Sequence, residues 1–297
     1  MNYQNRTKEQ EQQLALEEKW EKATLANNFI FYKVMRHHLD ACKHLIEMLL
    51  KIEIEKIEMH NEEVIEIDFD SKGIRLDVFV KDKNKMYDIE LQATDTKELP
   101  ERSRYYQALM DLDTLKSGQT YKELKDSHII FICLDDVFKK ELPVYTFEYI
   151  CEEDGKTKLN DRAIKHFFIA ETCARMIEDE EIRSFFQFLI SNKPSNEYTA
   201  DLDKYVFDAK HNMQWRVQYM TWERQRAYDL EAGIAIGEKR GEYNKAVENA
   251  KNFLKMNVLS IEQIAQGTGL SDKEVQKLAD EVQTQEKQTC SHGTQQE

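Results

Sequence analysis

Proline is scarce in this chain, with only 3 among 297 residues, and that scarcity leaves long stretches free to be helical. Cysteine is equally uninformative as a scaffold. The five thiols, at positions 42, 133, 151, 173 and 290, form no C-x-x-C pair and are odd in number. A disulfide frame or a zinc knuckle is therefore not expected, and reduced core thiols in a cytoplasmic protein are. No long apolar run exists either; the longest extends only from Ile129 to Leu134, far short of a membrane span. The stretch Met1–Gln10 has no apolar segment, so no secretory signal is visible. A Gly-rich phosphate loop, an H-E-x-x-H helix and a nucleophile elbow are all missing, which removes the enzyme classes that depend on them. Positive charge is in deficit: 42 Lys and Arg face 56 Asp and Glu, a net charge of −14. That balance argues against nucleic-acid binding by the whole surface, although a local basic patch or a metal-bridged phosphate contact remains compatible with it.

What is present is a folded composition, 41% hydrophobic with 14 Phe, in a chain long enough for one large domain or a core with appendages. Its most informative stretch is Arg75-Leu-Asp-Val-Phe-Val80, a turn at Asp82–Lys85, and Met86-Tyr-Asp-Ile-Glu-Leu-Gln92. Residues two apart on a strand share a face. A hairpin here gathers Asp77 and Phe79 with Asp88, Glu90 and Gln92, opposite Val78, Val80, Tyr87, Ile89 and Leu91. An antiparallel sheet with one face in water produces the same alternation. The alternative is chemical: carboxylates and an amide oxygen on one face form a hard-oxygen site suited to Mg²⁺ or Mn²⁺.

The flanking chain gives that hairpin a setting. Residues 8–26 read as a polar helix, and the apolar spacing from Leu39 to Leu50 reads as an amphipathic one with Lys43, His44 and Glu47 on its polar side. After Gln92, Pro100 opens a helix to about Lys116, with Leu109, Leu112 and Leu115 as its apolar stripe and Arg102, Arg104, Tyr105, Tyr106 and Gln107 in its first turns. His128–Leu134 has the unbroken character of a central strand covered on both faces. Val144–Cys151 and Ala163–Ala170 are two more strands. Strands separated by a crossover helix imply an α/β fold with a mixed central sheet, and beyond Glu171 an all-α C-terminal region. The division expected is an N-terminal helical segment over 1–26, a core over 27–175, a helical extension over 176–231, and a disordered tail over 286–297. Between the last two, residues 232–285 hold the Gly-x-x-x-Gly run Gly233…Gly237…Gly241, read as a weakened connector, and a small helix-turn-helix-like hairpin. Its second helix offers Lys273, Gln276 and Lys277 against the four acids Asp272, Glu274, Asp280 and Glu281, so packing or homo-oligomer formation suits the hairpin better than base reading.

For the acidic face, Asp77 and Glu90 are the candidate metal ligands and Gln92 the third polar position. Arg102 and Arg104 are candidates for a substrate phosphate at a helix N-terminus. Glu47 is an outer acidic candidate, its other reading being a solvated helix face. His37, His38 and His44 have no zinc spacing.

The whole set of segments is identified as resembling a known family. Trp20–Met35, Gly73-Ile-Arg-Leu-Asp-Val78, Tyr87-Asp-Ile-Glu-Leu-Gln92, Leu99–Gln107, Gly118-x-x-Tyr121 and Ile129–Cys133 with Asp135 and Phe138 resemble the PD-(D/E)XK nucleases. More narrowly, they resemble the Rpn family of recombination-promoting nucleases, or transposases. The resemblance implies a restriction-endonuclease-like core, Mg²⁺ (or Mn²⁺) held by Asp77 and Glu90, and DNA as substrate for an endonuclease. Most of the superfamily has Lys where this chain has Gln92. Gln cannot take a proton, so an adaptor with a degenerate site is the competing implication.

Overall fold

The computed structural model describes residues 8–59, 78–93 and 97–292. Two compact units divide the chain, residues 1–220 and 221–297. Among the described residues no helix is long and apolar enough to cross a membrane.

The first unit is built on a six-stranded mixed sheet. Its strands are β1 (Glu58–Met59), β2 (Val78–Lys81), β3 (Lys85–Gln92), β4 (Asp126–Cys133), β5 (Val144–Phe147) and β6 (Ala163–Ile169), in spatial order β1-β2-β3-β4-β6-β5. The β2–β3 hairpin closes because Asp82 Oδ1 accepts hydrogen bonds from the Asn84 and Lys85 amides at 2.7 and 2.8 Å. Register follows as Val78 opposite Ile89 and Phe79 opposite Asp88. Strands β3, β4 and β6 run parallel, and a parallel pair needs a crossover. Helix α4 (Leu99–Thr114) supplies it between β3 and β4.

Alternation on these strands divides the unit into two apolar layers. Val78, Val80, Tyr87, Ile89, Leu91, Ile130, Ile132 and Phe168 point to one side. They are covered there by α2 (Asn28–His37), α3 (Leu39–Leu50), α5 (Ala170–Met176) and α6 (Glu180–Ser191). Phe79, Met86, Ile129, Phe131, Cys133 and Phe167 point to the other, under Leu99, Tyr106 and Met110 of α4. Helix α1 (Lys8–Lys22) docks through Trp20, whose indole N–H donates to the Lys210 carbonyl at 3.2 Å. The acceptor belongs to α7 (Glu197–His211). Asn27 caps α2 by accepting from the amides of Phe29 and Ile30.

Several expectations changed in detail. The buried stripe of α4 is Leu99, Ser103, Tyr106, Gln107, Leu109 and Met110, while Leu112 is 62% exposed. The reason is phase: a helix anchored by Leu99 turns positions 103, 106 and 110 inward, and 112 falls on the opposite side. Strand β5 ends at Phe147, short of Cys151. The expected strand over Val64–Phe69 lies outside the described residues.

In the second unit, α9 (Ile261–Thr268) and α10 (Asp272–His292) form a helical hairpin. Helix α8 (Met213–Met256) begins in the first unit and runs unbroken through Gly233, Gly237 and Gly241. Three glycines cost roughly 1 kcal/mol each in a helix, and the Glu, Lys, Arg and Ala around them hold it. Ala250, Ile264, Ala265, Leu270, Val275 and Leu278 make the core of this unit. Gly269 closes α9 at φ +77°, where a side chain would be strained. Helix α10 continues past Gln285, into the range the composition assigns to a tail.

Two half-buried histidines sit side by side in the sheet, with His128 Nδ1 3.2 Å from His166 Nε2. Burial, aided by Lys85, holds His128 down at about 4 from the ordinary 6.5. Burial, with His128 beside it, does the same to His166, also at about 4. The unfolded chain therefore binds more protons than the native one between these values, so stability is full above pH 6.5 and falls as pH drops toward 4. Urea unfolding midpoints of the wild type are expected to drop more steeply across that window than those of His128→Gln/His166→Gln. Parallel curves would refute the assignment.

Candidate active site

The three polar residues of β3 do not face water. Asp88 is 0%, Glu90 1% and Gln92 7% exposed, on the layer shared with Phe131 and Phe167. A carboxylate taken out of water on an apolar sheet face is costly unless a charge or hydrogen bonds compensate it. Helix α4 provides the compensation. Pro100 starts the helix with its fixed φ, Ser103 Oγ donates to the Pro100 carbonyl at 2.7 Å, and Leu99 is fully buried beneath. This anchoring aims the next side chain, Arg102, at the end of β3. Arg102 Nη1 donates to Gln92 Oε1 at 3.0 Å, and Nη2 lies 3.5 Å from Glu90 Oε2. Gln92 Nε2 in turn donates to Glu90 Oε2 at 3.4 Å.

Tyr106 completes the corner from one helical turn further on. Its hydroxyl accepts from Arg102 Nε at 3.2 Å and Nη2 at 2.6 Å, as i and i+4 on one helix face permit. Burial raises the pKa of the Tyr106 phenol, and the charge of Glu90 raises it again against the lowering effect of Arg102. The phenol thus keeps its proton and stays a donor. From the other face, Asn28 Nδ2 donates to the Leu91 carbonyl at 3.0 Å and ties the N-terminus of α2 to the end of β3.

Of the residues singled out in the sequence, the structure brings together Glu90, Gln92 and Arg102. Asp77 lies outside the described residues. Arg104 does not join Arg102, because two residues along a helix is a rotation of about 200°. It lines a cavity with Phe138, Phe147 and Tyr149 instead. Glu47 accepts from the Ile54 amide at 2.7 Å and lies 3.5 Å from Lys43, on a helix packed against the opposite sheet face. His37, His38 and His44 sit against Trp215, Tyr205 and Glu181. Tyr106 was missed as part of the corner, and its spacing from Arg102 was the available signal. Asp136 was missed too: it accepts from the amides of Phe138, Lys139, Lys140 and Glu141 and so shapes the loop after β4.

Among the described residues no group of three or more His, Cys, Asp or Glu side chains is gathered to hold a metal. The donor chemistry nevertheless fits a hard divalent cation. Glu90 and Gln92 present oxygens at one corner, and a guanidinium already sits there in answer to their negative potential. Mg²⁺ commonly takes only one or two carboxylates from the protein and fills its other positions with water and phosphate.

A mixed sheet with an acidic hairpin on β2–β3, a crossover helix and a following buried strand is the core of a PD-(D/E)XK nuclease. The chain belongs to the PD-(D/E)XK nuclease family transposases, whose family model matches residues 37–232. No curated protein and no solved structure matches the chain.

Breaking the Arg102–Glu90 contact leaves a carboxylate buried without its guanidinium. Arg102→Met is expected to lower stability by about 2–4 kcal/mol, and Arg102→Met/Glu90→Gln to recover most of that loss. A double-mutant cycle in urea reads the coupling; additivity of the two changes would contradict the pairing.

Proposed function

We propose that this protein is a Mg²⁺- or Mn²⁺-dependent DNA endonuclease serving recombination or the movement of mobile elements in the cytoplasm. The observation that carries the reading is the buried Glu90 beside Gln92 and Arg102 at the head of α4, in a chain of a nuclease family. Asp77 and Glu90 hold the metal in this reading, and Gln92 offers its Oε1 as a further oxygen or as an acceptor for a water. Bound there, the divalent ion would polarise a phosphodiester and acidify water.

The chain's own groups do the rest. Arg102 carries a fixed positive charge within reach of the corner and supplies paired N–H donors to a phosphate. Tyr106, kept protonated, orients that guanidinium. Gln92 cannot remove a proton, so proton loss falls to a second water, the phosphate or another side chain. Hydrolysis then proceeds without a covalent enzyme intermediate.

The same Gln92, with Arg102 already neutralising Glu90, favours a second reading: a DNA-binding or homo-oligomerising adaptor acting through its C-terminal helices. Deleting residues 232–297 separates the two, since an adaptor loses DNA binding and assembly while the nuclease corner remains in the core.

Plasmid nicking with Mg²⁺ is expected from the wild type, with a loss of about 10²-fold or more in Asp77→Ala and Glu90→Ala. Calorimetry should find Mg²⁺ or Mn²⁺ binding in the wild type and not in Asp77→Ala. Equal cleavage by all three proteins would sink the site.

A further inference from the structure

Across α4 from the acidic corner lies a second feature that the reading above does not use. A cavity of about 310 Å³ opens between the first turns of α4 and strands β5 and β6. Its wall is aromatic. The Phe138, Phe147 and Phe167 rings meet with centroids 5.0–5.6 Å apart, two of the three pairs edge to face. Phe147 and Tyr149 are 44% and 55% exposed, so large π faces are presented to solvent and not sealed in the core.

Its rim is cationic. Arg104 and Lys165 line the opening, and among the described residues neither has a carboxylate partner; Lys165 lies 5.7 Å from the centre of the Tyr149 ring. Burial lowers the Lys165 pKa, against the charges of Asp161 and Asp111 that act to raise it, and a lysine part-way out of water gains from an anion. The one carboxylate at the rim, Glu148, is already paired with Lys158. An arginine and a lysine without an ion-pair partner among the described residues, at the rim of exposed rings on a chain of net charge −14, suit a ligand that is flat, aromatic and anionic.

Position identifies that ligand further. Glu90, Phe131 and Phe167 are cross-strand neighbours on β3, β4 and β6. Phe147, on which the base stacks, lies one strand further out on β5; three strand spacings make ~14 Å, or about four nucleotides at the ~3.4 Å stacked rise of one strand. The geometry points to a nucleotide-binding subsite in which an unpaired base of the DNA strand held at the acidic corner stacks on Phe147 and Tyr149, with Arg104 and Lys165 on its phosphates. This rests on the nuclease reading, and it makes single-stranded or locally opened DNA the preferred substrate.

The test uses the full chain in EDTA with a single-stranded oligonucleotide carrying 2-aminopurine, the same sequence as a duplex, and dAMP alone. Wild type is expected to quench the 2-aminopurine and to bind the single strand more tightly than the duplex. Phe147→Leu/Tyr149→Leu keeps the apolar bulk and removes the rings, and should weaken single-strand binding about 5- to 100-fold and abolish the quenching. Arg104→Gln/Lys165→Gln should flatten the salt dependence of single-strand binding by roughly 1.4 in log–log slope. Unchanged quenching and affinity in the ring variant overturn the subsite, as does dAMP binding as tightly as the strand. Plasmid nicking that survives in the ring variant beside such a result would remove this inference and leave the nuclease reading standing.

Discussion

The arrangement depends on how a negative charge is kept on the buried face of a sheet. Strand β3 is covered on both sides, yet it carries Asp88, Glu90 and Gln92 on the layer shared with Phe131 and Phe167. Left without compensation, a carboxylate there would cost several kcal/mol. The guanidinium of Arg102 answers it, and Arg102 is aimed by a helix that must start where it does: Pro100 fixes the first turn, Leu99 anchors it, and Tyr106 braces the side chain. The crossover demanded by parallel β3 and β4 thus also supplies the counter-charge. Fold and site share one helix, which is why the corner can be polar without unmaking the core.

Much of this was legible in the residues. Period-two alternation located the hairpin face and the polar residues that share it. The crossover helix followed from Pro100, and the buried strand from Ile129–Leu134. Alternation alone, however, is equally consistent with a wet sheet face, and what excludes water here is α4, a tertiary contact that no spacing within the hairpin encodes. The same limit explains Leu112: an apolar residue on a helix reads as core until the helix's anchor fixes its phase. The unbroken α8 shows the complementary error, since local glycine penalties of about 1 kcal/mol each are small beside the helix propensity of a charged, alanine-containing run. Arg102 and Arg104 illustrate a third limit. Two residues apart in sequence, they reach opposite sides of one helix, and only its rotation assigns one to the acids and the other to the aromatic cavity.

That division of labour gives α4 two working faces. Toward β3 it holds a carboxylate, an amide and a phenol around one guanidinium; toward β5 and β6 it offers an arginine, without a carboxylate partner among the described residues, at the rim of exposed rings. The loop that contributes Phe138 to the second face is folded around Asp136, whose carboxylate collects four backbone amides and the Tyr145 hydroxyl. Such a turn costs nothing at the acidic corner, because it is braced by its own acid and not by Glu90. In the proposed reading the two faces can therefore vary independently, one governing chemistry and the other which strand is presented to it.

A strongly acidic protein that acts on a polyanion must confine its attraction to few places. In the proposed reading the positive charge that meets the strand is that of helix α4 and Lys165, and the aromatic surface adds affinity that does not depend on net charge. Stacking is insensitive to salt whereas phosphate contacts are not. On that reading a chain of net charge −14 gains discrimination for unpaired bases at the expense of sliding on duplex, which rests on nonspecific electrostatic hold.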